Sequence, residues 1–168
     1  MLNNRILTSI FRTLSWLAPL PVLLAAVAGP ARAQPTLAGR WALRQIAFEA
    51  PATLPDSLQE KLFHSPAADT NIGISSGALM LVVDFRADST YTYTTARQGN
   101  VTHTEQGTYS VRRGRLFTRS SQAPNEPLFD GQAILELTRR RLQLQSPVWE
   151  PKLQVFEQLE YQRLPAGK

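Results

Sequence analysis

The chain contains no cysteine, which excludes disulfides and a lipid-modified cysteine anchor. Its two histidines, His64 and His103, are too few for a histidine-built metal cluster. No Gly-x-Ser-x-Gly elbow, phosphate loop or calcium loop occurs, so the enzyme classes built on them find no support. Long apolar runs are missing as well. The stretch at 16–28 has about 13 residues, short of the ~20 a bilayer-spanning helix needs, and Pro19 and Pro21 interrupt it.

That short stretch has the layout of an export signal. Arg5 and Arg12 precede it and Ala31-Arg32-Ala33 follows it with small residues suited to cleavage. The expected organisation is a cleavable signal peptide at 1–33 and one domain at 34–168, periplasmic or secreted and free in solution. About 135 residues remain, enough for a single core. The formal charge of +5 shrinks with the leader: removing its three arginines leaves 15 basic against 13 acidic side chains, a formal +2. Nucleic acid is not implied by so small an excess.

Beyond residue 36 the sequence reads as eight strands, at 37–48, 79–86, 90–97, 101–112, 116–120, 133–138, 142–145 and 153–164. They are separated by about thirty, three, three, three, twelve, three and seven residues. Long and short connections alternate, which predicts an all-β, eight-stranded antiparallel up-and-down barrel. Parity supplies a check, since paired residues share a face. With Tyr91, Tyr93, His103, Glu105, Tyr109 and Val111 inward, a three-residue turn at 98–100 is required. Val111 then meets Leu116, Leu137 meets Leu142, Tyr91 covers Gly107, and no register shift is needed. On strand one the same alternation sends Trp41, Leu43, Gln45 and Ala47 inward.

The strand directions sort the charges. One end, here the lower, collects the short turns and nine arginines, among them Arg112, Arg113, Arg139 and Arg140. The upper end takes the long loops with Glu49, Asp56, Glu60, Asp69, Glu126, Asp130 and Glu150, and with exposed-looking Leu128, Phe129 and Trp149. Within the 49–78 connection, Leu54, Leu58 and Leu62 recur every fourth residue and Ser57 with Glu60 forms a capping box, predicting a short amphipathic helix. That helix is either a fixed plug in the barrel mouth or a mobile lid. Residues 71–77 read as loop.

Gly39-Arg40-Trp41 at the start of strand one, the long first connection, the seven-strand meander and Arg163 near the end of strand eight together resemble the lipocalin-like, calycin-type exported barrels. The resemblance spans the whole mature chain. It implies that Gly39, Trp41 and Arg163 form the closed floor, with the arginine lying across the tryptophan ring. Avidin-like barrels begin with a similar triplet but have a short first connection. The chain departs from the larger secreted carriers in having no second motif near 112–115 and no disulfide.

The inward set mixes Leu81, Val83, Phe85, Leu135, Leu137, Leu144, Val155 and Leu159 with polar side chains. Carboxylates in a barrel interior are costly unless paired or wetted. The ligand-binding set is therefore taken as Gln45, Tyr93, Thr95, His103, Glu105, Trp149 and Glu157. Two other arrangements stand beside it: an internal network in which Tyr93 donates to Glu105, and a fourth strand that turns His103 and Glu105 outward. Neither a catalytic role for His103 with Glu105 nor a metal on His103, Glu105 and Glu157 is expected, because nothing makes these groups converge. The expectation is a non-enzymatic carrier of a small, largely apolar molecule, without cofactor. The alternative is an interaction module with a filled barrel, acting through its loops or through its arginine-rich end on an anionic surface or acidic partner.

Overall fold

A computed structural model describes residues 36–51, 53–148 and 154–165. The expected leader, with Trp149 and Glu150, lies outside the described residues. Eight strands and two short helices follow in the order β1 (Gly39–Glu49), α1 (Asp56–Phe63), α2 (Pro66–Ser75), β2 (Leu79–Phe85), β3 (Thr90–Arg97), β4 (Asn100–Arg112), β5 (Arg115–Ser120), β6 (Asp130–Leu137), β7 (Arg141–Pro147) and β8 (Phe156–Arg163). Every strand pairs antiparallel with its chain neighbours, and β8 returns to pair with β1, so the sheet closes into a ring. Among the described residues no helix is long and apolar enough to cross a membrane.

Alternation of Val, Thr and Tyr with polar residues sets the strands, and the turn chemistry sets their ends. Gln98 and Gly99 both take positive φ, 48° and 81°, as do Arg113 and Gly114 at 49° and 71°, the conformation that matches a two-residue hairpin to strand twist. The β3–β4 turn thus holds two residues, not three. The extra residue is absorbed by a bulge near Thr95 and Ala96, which leaves Tyr91 opposite Gly107 and Tyr93 opposite Glu105.

Register shifts are needed in four places, at Leu43/Gln45, Thr95/Ala96, Leu116/Phe117 and Ile134/Glu136. A bulge adds one residue to one strand and swaps the faces beyond it. On β1 the extra residue is Arg44, so Gln45 is exposed and Ile46 packs on the core instead. On β6 it is Leu135, which stands 48 % exposed.

The lower interior is solid. Trp41, Val83, Phe85, Tyr91, Leu116, Phe129, Leu142 and Leu144 are all fully buried, each contributing roughly 1.5–3 kcal/mol of burial for its apolar part. Phe129 was expected outside. It enters because the 121–129 loop prolongs the pairing of β5: Thr118 N–H donates to the Phe129 carbonyl at 2.7 Å and Phe129 N–H donates to Thr118 Oγ1 at 2.8 Å. Its ring then sits 6.1 Å from Phe85 and 6.3 Å from Tyr161, with Leu128 packed behind it.

The first connection forms two helices. α1 begins at Asp56 after Pro55 without a side-chain cap, so Ser57 lies inside its first turn and the capping box does not form. Leu54, Leu58 and Leu62 are half-buried. Residues 71–75, expected as loop, belong to α2, which Pro66 starts at a position where a missing N–H costs nothing. Ile74 of α2 packs on the ring core.

Candidate functional site

Three residues build the lower end. Trp41 is fully buried and its indole Nε1 donates to the Leu37 carbonyl at 2.7 Å. The Arg163 guanidinium lies 4.2 Å from the indole centroid; its Nη1 donates to Ala38 O at 2.8 Å and its Nη2 to Thr36 O at 2.6 Å. Register pairs Trp41 with Arg163 directly. Gly39 has φ 138°, and a Cβ there would collide with Arg163 Nη1. Glycine is therefore demanded twice, by the backbone angle and by the guanidinium. A cation over an indole adds about 0.5–2 kcal/mol.

Above this floor the inner wall turns polar. Tyr91 hydroxyl donates to the Glu105 carboxylate, with the Thr118 and Ser120 hydroxyls also within bonding reach of the phenol. Tyr91 makes the bond expected of Tyr93 for a geometric reason. Gly107, opposite Tyr91, has no side chain, so the ring lies across the bare backbone, 2.8 Å from where a Cβ would stand, and reaches two residues further to Glu105. Burial pushes the Tyr91 phenol up, and the hydrogen bond and charge of Glu105 push it further. Tyr93 is raised by burial and by Glu105, against a lowering hydrogen bond with Thr95.

On the opposite wall β8 turns Glu157, Leu159 and Tyr161 inward. Burial raises the Glu157 carboxyl above its ordinary value. Tyr161, a core residue, is raised by burial, with Tyr93 and Glu157 adding to it. Gln132 pairs with inward Leu116, and its Oε1 is buried with no hydrogen-bond partner among the described residues.

Tyr93, Thr95, Glu105 and Glu157 are half-buried on the inner face. His103 pairs with Thr95 and stands exposed, its ring 6.4 Å from Tyr93. Gln45 is outside the ring, where with Arg44, Asn71, Ile72 and Ser75 it lines a surface cleft of about 280 Å³. Trp149 lies outside the described residues. His103, Glu105 and Glu157 do not gather into a group able to hold a metal. Tyr91, Thr118, Ser120 and Gln132 join the inner wall beyond the ligand-binding residues expected from the sequence. Parity pointed Tyr91 inward, but Gln132 precedes the expected start of its strand and so received no face.

α2 packs at the upper end beside β1 and β2. β2 pairs with β1 over four positions, ending at Ala42. Further along β1, Asn71 takes the place of the missing strand: Ile46 N–H donates to Asn71 Oδ1 at 2.8 Å, and Asn71 Nδ2 donates to Ile46 O at 2.7 Å. One amide side chain satisfies both backbone groups of an open edge. Comparison with protein-family models, with curated proteins and with solved structures gave no match.

Proposed function

We propose that the chain is an exported lipocalin-like barrel of the up-and-down kind, which binds a small, largely apolar molecule in the upper part of its interior and performs no catalysis. The observation that carries this reading is the inner wall itself. Half-buried Glu105 and Glu157 stand on the inner wall above an aromatic floor. A ligand with an apolar body and one or two hydrogen-bond donors complements both halves, the usual composition of a small-molecule site. Support for the family comes from the Gly39, Trp41 and Arg163 floor, and support for export from the leader-like residues 1–33. α2 serves as the cover of the mouth.

A second reading is favoured by one specific observation: Phe129 from the β5–β6 loop is buried in the core and Ile74 of α2 packs against that core, so side chains from both connections help fill the interior. The protein is then an exported interaction module with a filled interior. Titration with a hydrophobic fluorophore, joined to native mass spectrometry of the purified chain, separates the two. Saturable binding at one site, weakened by Glu157→Leu, is the outcome expected of the carrier. No saturable binding and no co-purifying molecule would leave the interaction module standing.

A further inference from the structure

The turns joining β2 to β3, β4 to β5 and β6 to β7 lie at one end of the ring, with the start of β1 and the end of β8. Two of these hairpins carry Arg112, Arg113, Arg115, Arg139, Arg140 and Arg141, all exposed. The arrangement works against the local structure. Arg112 and Arg115 stand directly opposite each other, a like-charge pair that destabilises a hairpin. Arg113 takes φ 49°, where glycine or asparagine is favoured. Among the described residues both ion pairs belong to Arg141, with Glu136 and Glu160 at 3.7 Å each, and Arg115 gives one N–H to the Gly131 carbonyl at 2.7 Å. The opposite end holds Glu49 at the end of β1 and Asp56, Glu60, Asp69 and Glu126 on its helices and loops. A domain that is almost neutral overall is polarised along its axis.

We infer that the arginine-bearing end docks on a lipid surface of phosphate head groups. The guanidiniums stand on two turn tips at the end of a ring; Arg140 and Arg141 share a cleft that also holds the Glu160 carboxylate, a poor site for a single anion, and the spread over both tips suits a plane carrying many phosphates. Arginine also pairs with phosphate in a forked, two-bond geometry. Val111, 47 % exposed beside Arg112, adds apolar contact at the same end. Docking this way turns the α2 end, with its acidic side chains, away from the membrane.

The test is co-sedimentation of the purified chain with vesicles. Binding to mixed phosphatidylglycerol and phosphatidylcholine vesicles is expected, with release as salt rises from about 0.05 to 0.5 M and no binding to phosphatidylcholine alone. The double variant R113Q/R139Q, both at exposed turn tips, should weaken binding at least about tenfold. The charge-matched variant K61Q/R97Q, at the other end, should leave it nearly unchanged, and near-UV circular dichroism verifies that both are folded. Equal losses in the two doubles would reduce the effect to net charge and overturn the assignment. Indifference to vesicle charge would overturn it too, as would binding of polyglutamate or inorganic phosphate in place of vesicles.

Discussion

At Gly39 two demands coincide, a φ of 138° and a guanidinium packed where a Cβ would go. Gly39→Ala is expected to cost about 1–3 kcal/mol in denaturant unfolding, and less when Arg163 is already alanine, because the displaced group is then gone. Additive losses in that double-mutant cycle would show the arginine plays no part. Trp41→Ala, which empties the most buried large side chain of the floor, should lose roughly 3–5 kcal/mol; a loss below about 1 kcal/mol would mean the floor does not depend on the ring. Glu157 offers a test with pH. Burial holds its folded pKa above that of the unfolded chain, so the ionised form is disfavoured by folding and stability falls as pH rises through the folded pKa. Glu157→Gln should therefore stabilise the protein at neutral pH, and the gain should fade below the usual carboxylate range. A gain that is constant with pH would point to packing instead of charge.

Single elements show what alternation and turn chemistry can convey and where they stop. The eight strands, the pairing of Tyr91 with Gly107 and the meeting of Val111 with Leu116 were legible because side-chain parity propagates through a hairpin. The bulges at Arg44 and Leu135 were not, since an inserted residue looks like any other until its partner strand is placed. For that reason Gln45 was assigned to the wrong face while Glu105 and Glu157 were not. Phe129 was misread because its burial depends on Thr118, eleven residues earlier on another strand. α2 escaped notice because its residues carry little apolar periodicity; what secures it is the Asn71 amide against the backbone of Ile46. Asn71→Ala should leave that N–H and C=O unpaired, costing about 1–3 kcal/mol, with faster hydrogen exchange at the Ile46 amide. Unchanged exchange there would mean that α2 holds without its amide.

For the molecule as a whole, the pairing of β1 with β8 is the longest-range contact and joins eight residue pairs, from Trp41–Arg163 to Glu49–Phe156. Folding rates fall as contacts grow more distant in sequence, and a circular permutant that links residue 165 to residue 36 and opens the Gln98–Gly99 turn only moves the long-range seam from β1–β8 to β3–β4, so it should refold at about the wild-type rate and keep the wild-type circular dichroism spectrum. A permutant that fails to fold would show that the ends are not free to be joined. The same seam carries a consequence for synthesis. Until its final strand leaves the ribosome, the nascent chain has two unpaired edges and a tryptophan without its arginine cover, a form that chaperones and proteases can still recognise as unfinished.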